Sequence, residues 1–309
     1  MKYKRLGRSG INVSQVCLGS NNFGGTVDRE NSEKIVKKAI DLGTNLIDTA
    51  NTYTDGKSEE IIGNVVRDYR DEIILATKVG FPVREGPNGS GLSRKHILTQ
   101  FKRSLERLKT DYVDIYYLHC PDPETPLEES LRTMNELLRQ GKVLYSACSN
   151  FTVWQIAEVN RICEVRGLDR LIAVQPQYNL MHREIERDLL PYCREEQLGV
   201  LTYSPLMAGF LTGKYTRDSS APADSRRARY FEMKKSETNF AILEQIKTLA
   251  KTCGLSPFQL AVAWILRNPI VTAPIIGASK PEHIDEICRM PEIKISDETY
   301  EKLNEITNR

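Results

Sequence analysis

Long apolar runs are absent from this 309-residue sequence. No stretch approaches the roughly 18 consecutive apolar residues of a membrane helix, and the start Met1-Lys2-Tyr3-Lys4-Arg5 has no apolar core for a secretion signal. A cytoplasmic chain with no membrane partner is the expectation. An excess of one charge is lacking too. The 43 Lys and Arg stand against 41 Asp and Glu, a formal net charge of +2, without the basic surplus that binding to a phosphate backbone leaves behind, so nucleic acid is not an expected partner. Paired cysteines are missing. Cys17, Cys120, Cys148, Cys163, Cys193, Cys253 and Cys288 are odd in number and far apart, with no Cys-x-x-Cys pair and no zinc spacing to the four histidines, which reads as free thiols and no metal site. The chain also has no G-x-G-x-x-G or Walker A pattern, so a nucleotide would have to be held some other way. Low-complexity segments and Pro/Gly linkers are absent, and 309 residues fit one α/β barrel, so residues 1–309 are read as a single domain.

What is present is an alternation. Tyr3 to Val13, broken at Gly7-Arg8-Ser9-Gly10, reads as a β-hairpin that plugs one end of the main fold. Short apolar runs then alternate with helical patterns: Val16 to Gly19 and Arg29 to Leu42; Asn45 to Asp48 and Ser58 to Asp68; Glu72 to Lys78 and a helix opening at Ser93. The series continues with Tyr112 to His119 and Leu127 to Gln140; Lys142 to Cys148 and Thr152 to Arg166; Leu171 to Gln175 and Arg183 to Gln197. It ends with Gly199 to Tyr203 and helices across 237–267, then Val271 to Ile276 and a helix from Pro281, with one more around Asp297 to Ile306. Gly141, Gly167 and Gly199 are placed where helices stop. Eight βα units favour a closed (β/α)8 TIM barrel with an N-terminal β-hairpin and an extra C-terminal helix. The charged stretch 214–236 has no apolar pattern and is expected to be a loop at the active face.

Three of those runs end on reactive side chains: Asp48, Lys78 and His119, with Tyr53 five residues beyond Asp48. In a parallel barrel, strand C-termini line the catalytic face. Asp48 and Lys78 would close adjacent strands, where an ion pair is natural. The ammonium would favour the phenolate of Tyr53 and lower its pKa from the reference near ~10, so that the phenol serves as proton donor and acceptor nearer neutral pH. His119 would orient the same oxygen. The chemistry implied is proton transfer to or from a carbonyl or alcohol oxygen.

Asp48-Thr49-Ala50-x-x-Tyr53, Gly56-x-Ser58-Glu59-Glu60-x-x-Gly63, Lys78 after Ala76-Thr77, Leu118-His119, Gly141-Lys142-Val143 and Ser149-Asn150-Phe151 together resemble the aldo-keto reductase superfamily. Gln175-Pro176-Gln177-Tyr178-Asn179 and Tyr203-Ser204-Pro205-Leu206 belong to the same resemblance, which runs from the hairpin to the last helix. It implies an NADPH-dependent oxidoreductase that reduces small aldehydes or ketones to alcohols. Tyr53 would be the general acid, Lys78 and Asp48 its tuning pair, and His119 the carbonyl-orienting residue. The nicotinamide carboxamide would meet Ser149, Asn150 and Gln175, its ring would stack on Tyr203, and Ser20 would lie alongside. The pyrophosphate would run under the loop from Ser204 through Leu206, Gly209, Leu211 and Gly213 to Lys214. A second reading within the resemblance is a cofactor-bound regulatory subunit of a membrane channel with slow reductase activity. The sequence holds no sign of the natural substrate or the oligomeric state.

Gly277-Ala278-Ser279-Lys280-Pro281-Glu282-His283 follows the last strand. Ser279 and Glu282 have capping-box spacing, while Ser279 and Lys280 at a helix start also suit the 2′-phosphate of NADPH. His283 and Ile287 stand where similar proteins carry Arg or Gln and usually Asn, and Glu286 fits the position that touches the adenine amine. Trp154 and Trp264 read as core, His96 and His182 as surface, and Phe23 and Phe81 as either a substrate wall or a barrel cap.

Overall fold

The computed structural model of the chain describes residues 1–217 and 235–308, and most of the loop expected at 214–236 lies outside them. The first two strands, β1 (Tyr3–Arg5) and β2 (Asn12–Ser14), pair antiparallel as a hairpin. Eight parallel strands follow: β3 (Cys17–Gly19), β4 (Leu46–Asp48), β5 (Ile74–Val79), β6 (Val113–Leu118), β7 (Val143–Ser149), β8 (Ala173–Gln175), β9 (Gly199–Thr202) and β10 (Val271–Gly277). They close in sequence order, β10 pairing with β3. Helices alternate with them: α1 (Arg29–Asp41), α2 (Lys57–Val66), α3 (Arg94–Leu108), α4 (Leu127–Arg139), α5 (Val153–Arg166), α6 (Leu189–Glu195), α7 (Glu237–Thr252), α8 (Pro257–Arg267), α9 (His283–Arg289) and α10 (Asp297–Thr307). The expected barrel, hairpin and extra C-terminal helix are therefore all observed.

Two layers of apolar packing fix the frame. Inside the barrel Cys17, Leu46, Ala76, Ile115, Tyr117, Ala147, Ala173, Leu201 and Ala273 form one buried cluster, and Leu6 and Val13 of the hairpin close it from below. Outside, the alternate strand residues meet the helices in a larger core around Ile47, Leu75, Tyr116, Val174, Val200 and Trp264. Such burial, at roughly 25 cal/mol per Å² of apolar surface, is what holds a polar rim in place above it.

The plug depends on two glycines. A Cβ on Gly199 would stand 2.4 Å from Leu6 Cδ1, and one on Gly7 would stand 2.4 Å from Gly199 N. Gly199 thus lies inside β9 and serves close packing, not the helix stop expected of it. The left-handed residue before that strand is Gln197, with φ +51°. Gly141 and Gly167 do follow helix ends with positive φ.

Three further expectations are corrected. The helix expected from Arg183 to Gln197 is broken into a 3₁₀ turn at Glu184–Glu186 and α6. The cause is local: Glu186 accepts from the Tyr178 hydroxyl at 2.7 Å and from Arg183, and Asp188 caps the next turn. Trp154 is 69 % exposed while Trp264 is fully buried. In α5 the inward face is Ile156, Val159, Asn160 and Cys163, and Trp154 shares the opposite face with Glu158 and Arg161. His96 is buried, not superficial, on the same stripe of α3 as Gln100 and Ser104, its Nδ1 3.1 Å from the Asn88 carbonyl oxygen. His182 is partly exposed.

Candidate active site

The four residues at the strand ends converge. Asp48 and Lys78 end or nearly end the adjacent β4 and β5, whose register pairs Asp48 with Ala76. Lys78 is fully buried, and an unpaired ammonium there would be prohibitively costly. It has three oxygen partners: Asp48 Oδ1 at 2.5 Å, the Thr49 carbonyl at 2.7 Å and the Tyr53 hydroxyl at 3.2 Å. Burial opposes the charge, yet Asp48 and Tyr53 outweigh it, so the Lys78 pKa is raised and the side chain stays an ammonium. The second Asp48 oxygen accepts from Gln175 Nε2 at 2.8 Å.

Tyr53 opens a 3₁₀ turn, Tyr53–Gly56, directly after β4. Tyr117 is the other phenol near the same ammonium, 5.8 Å from ring centroid to Nζ. Burial pushes the Tyr117 pKa well above its ordinary value, so that phenol keeps its proton, whereas Tyr53 is half-buried. His119 follows β6, with its ring 6.0 Å from that of Tyr53 and 4.3 Å from that of Phe81. Burial and the nearby Lys78 charge hold the His119 pKa down at about 2. Its imidazole is therefore neutral and offers one N–H as a hydrogen-bond donor, not a proton to give away.

A second group of polar residues borders the tetrad. Tyr203 OH donates to Asn150 Oδ1 at 2.9 Å, and Asn150 Nδ2 donates to the His119 carbonyl at 2.9 Å. Ser149 Oγ donates to the Gln175 carbonyl at 2.7 Å, and Ser20 Oγ to the Asp48 carbonyl at 2.8 Å. Gln175 is thus tied first to Asp48, a link the sequence does not announce. In the loop after β9, Ser204, Met207, Ala208, Gly209 and Gly213 all have positive φ. The N–H groups of Gly209 and Leu211 are used within the loop, both on the Leu206 carbonyl, and that of Gly213 goes to Phe210. The segment therefore offers its fold and the exposed Lys214 more than a row of vacant N–H donors.

At the end of β10 and beyond it, Gly277, Ser279, Lys280, His283 and Glu286 are all exposed. The capping box expected of Ser279 and Glu282 does not form. α9 starts at His283 after a helical Glu282 with no side-chain cap, and Ser279 Oγ lies 3.4 Å from His283 Nδ1 instead. Glu286 receives the Ser256 hydroxyl at 3.3 Å, and Ile287 packs into the core. Asn22, not singled out in the sequence, belongs to this rim: it is buried, its Nδ2 donates to the Ala278 carbonyl at 2.9 Å, and its Oδ1 has no hydrogen-bond partner among the described residues. Phe23 is core, while Phe81 is exposed beside His119. Two shallow concavities of about 580 and 330 Å³ lie along the outer side of α3, away from these residues. Among the described residues no single helix is long and apolar enough to cross a membrane.

A closed eight-stranded barrel with an ammonium, a carboxylate, a phenol and a neutral imidazole gathered at the strand C-termini defines a class of carbonyl-directed enzymes. The Aldo/keto reductase family model matches residues 15–308, and the chain belongs to that family. It is 38% identical to a "Putative voltage-gated potassium channel subunit beta" of Schizosaccharomyces pombe, over 99% of this chain and 93% of that protein. It is 32% identical to the "Versiconal hemiacetal acetate reductase" of Aspergillus parasiticus, over 99% and 96%. With the "L-glyceraldehyde 3-phosphate reductase" of Escherichia coli K12 it shares 34% identity, over 93% and 86%. Family and relatives support an oxidoreductase acting on small carbonyl compounds.

Proposed function

We propose that the protein is an NADPH-dependent carbonyl reductase in which Tyr53 delivers the proton. The observation that carries this reading is the Lys78 ammonium, buried and held 3.2 Å from the Tyr53 hydroxyl beside a neutral His119. A carbonyl oxygen placed between the phenol and the imidazole would receive two hydrogen bonds, and charge developing on that oxygen would be met by donors already fixed in place. Proton transfer from Tyr53 completes the alcohol, and Lys78 stabilises the phenolate left behind.

The rim fits a dinucleotide. Ser149, Asn150, Gln175 and Ser20 present polar atoms around the β3, β7 and β8 exits, Tyr203 presents an aromatic ring fixed by Asn150, and the orphaned Asn22 Oδ1 offers an acceptor beside Gly277. When bound, the reduced nicotinamide supplies the hydride to the carbonyl carbon. Leu206, Gly209, Leu211, Gly213 and Lys214 would border the pyrophosphate, and Gly277, Ser279, Lys280, His283 and Glu286 the adenosine end.

The test is loss of reduced-nicotinamide absorbance when the protein meets NADPH and a nitrobenzaldehyde; steady turnover is expected. Bound NADPH with negligible turnover would move the assignment to the second reading, a cofactor-bound regulatory subunit of a membrane channel, which the name of the fission-yeast relative supports. Coenzyme choice tests the adenosine end. Lys280 is an exposed cation, so its contact with a 2′-phosphate is expected to favour NADPH over NADH by about three- to tenfold in Kd, within the modest range of surface charge pairs. Lys280→Met should bring the two dissociation constants together, and unchanged discrimination would remove the phosphate role.

A further inference from the structure

Below the tetrad lies a buried charge that the chemistry above does not use. Glu59, in the first turn of α2, is fully buried. Its Oε1 accepts from Thr77 Oγ1 at 2.5 Å, its Oε2 accepts from Arg107 Nε at 2.7 Å, and Arg107 Nη2 stands 2.7 Å from that same oxygen. A carboxylate out of water needs such partners. Both of them adjoin the candidate site. Thr77 immediately precedes Lys78 in β5. Arg107, in the last turn of α3, passes under the end of the Tyr53 turn, where a Cβ on Gly56 would stand 2.8 Å from Arg107 Cδ. Gly63, one turn along α2 on the same face as Glu59, lets the two helices touch backbone to backbone, since a Cβ there would lie 2.5 Å from the Arg107 carbonyl oxygen.

The chain held by this brace is strained. Thr54, Asp55 and Gly56 have φ of +48°, +57° and +88° directly after Tyr53, a conformation that side chains rarely adopt and that persists only where the surroundings impose it. Thr54 Oγ1 donates to the Phe23 carbonyl at 2.6 Å, and Ser58 Oγ donates to the Ser20 carbonyl at 3.0 Å. These ties anchor both ends of the turn to the loop that leaves β3. Glu59 links the same helix turn to β5.

Resting on the reductase reading, we propose that Glu59 is a positioning residue: through Thr77 and Arg107 it sets the separation between the Lys78 ammonium and the Tyr53 phenol, and hence how readily that phenol ionises. Among the described residues, the charged and titratable groups that face the phenol include Lys78 from β5, Asp48 from β4 and His119 from the end of β6. Loss of Glu59 acts on it in two opposite senses. Removing a negative charge favours the phenolate directly, whereas letting Lys78 drift from Tyr53 disfavours it. Positioning predicts that the second effect wins.

The experiment titrates Tyr53 in the resting protein by phenolate difference absorbance, with Tyr53→Phe as the blank, and so needs no turnover. Thr77→Val removes the hydroxyl that ties β5 to Glu59 without changing any charge; Thr77→Ser keeps it. The Tyr53 transition is expected to rise by about one pH unit in Thr77→Val, a tenfold change in ionisation, and to return in Thr77→Ser. In Glu59→Leu it should rise at least as far. The high-pH limb of kcat should move with it while the Kd for NADPH stays put. An unmoved transition in Thr77→Val, or a downward one in Glu59→Leu, overturns the proposal, and Thr77→Val decides alone if Glu59→Leu does not fold. A parent protein that turns over no carbonyl yet shows these shifts would sink the reductase reading and leave the brace standing.

Discussion

Tyr53→Phe is expected to lower kcat for carbonyl reduction by about 10²–10⁴-fold, the range that a positioned general acid contributes, while NADPH binds as before. The substitution removes one oxygen. It leaves the ring that meets His119 edge-on at 6.0 Å, and it leaves Lys78 paired with Asp48 Oδ1 and the Thr49 carbonyl. Ser149 bonds to the Gln175 carbonyl, Asn150 to the His119 carbonyl, Gln175 to Asp48 and Tyr203 to Asn150, contacts that the substitution leaves in place, so the loss should fall on kcat and not on the coenzyme Kd. The measurement is steady-state reduction of a nitrobenzaldehyde beside a fluorescence titration of NADPH. A variant that keeps most of its kcat would show that the proton comes from elsewhere; Tyr117 is a poor substitute, because burial pushes its pKa well above the ordinary value.

The barrel was legible because its signal is periodic and local. Ile73 to Lys78 and Tyr112 to His119 are apolar runs of strand length, and strand ends in a parallel barrel all point to one face, so Asp48, Lys78 and His119 fell on that face before any contact was known. Helix phase was less legible. Trp154 is apolar, and α5 is weakly sided, so the residue type pointed inward while the helix turns it out. His96 is the reverse case, a polar residue whose burial depends on a loop carbonyl eight positions away, at Asn88.

Longer-range polar partners were hidden for the same reason. No spacing rule joins Gln175 to Asp48 across 127 positions, or Glu59 to Arg107 across 48. The motif Gly56-x-Ser58-Glu59-Glu60-x-x-Gly63 was readable as a resemblance and acquires its physical content only in three dimensions. Gly56 leaves room for Arg107, Gly63 lets α2 touch α3, Ser58 reaches Ser20 just past β3, and Glu59 reaches β5. Ser279 teaches a related lesson. Its capping-box spacing was satisfied, but the chain enters α9 four residues later, at His283, and the exposed hydroxyl faces the His283 imidazole instead.

Lys78→Met should do less to the height of the rate than Tyr53→Phe and more to its shape. On the proposed mechanism reduction needs Tyr53 protonated, so its rate would fall as pH rises through the pKa of that phenol, while oxidation of an alcohol would need the phenolate and rise over the same interval. In the parent the ammonium 3.2 Å from the hydroxyl favours the phenolate, and each pKa unit is about 1.36 kcal/mol of that preference. Without it both limbs move toward the ordinary tyrosine value near ~10. Reduction near neutral pH is therefore expected to lose about tenfold, from weaker stabilisation of the developing phenolate, while oxidation at the same pH loses about a hundredfold or more, because the base itself is scarcely formed. Stability carries its own sign. The Lys78 pKa is raised in the fold, so the contribution of this ion pair is fully present below the unfolded lysine value near ~10.4 and is lost only as pH climbs through the higher folded one. Removing the cation forfeits it throughout the neutral range and leaves the buried Asp48, among the described residues, with Gln175 as its side-chain partner, a loss of about 3–5 kcal/mol by analogy with other broken buried pairs. Thermal melts with and without NADPH, run beside both pH profiles, check the two effects separately. Identical limbs in parent and variant would place the Lys78 charge outside the chemistry whatever the melt shows, because a purely structural lysine changes how much enzyme is folded and not the pH at which Tyr53 gives up its proton.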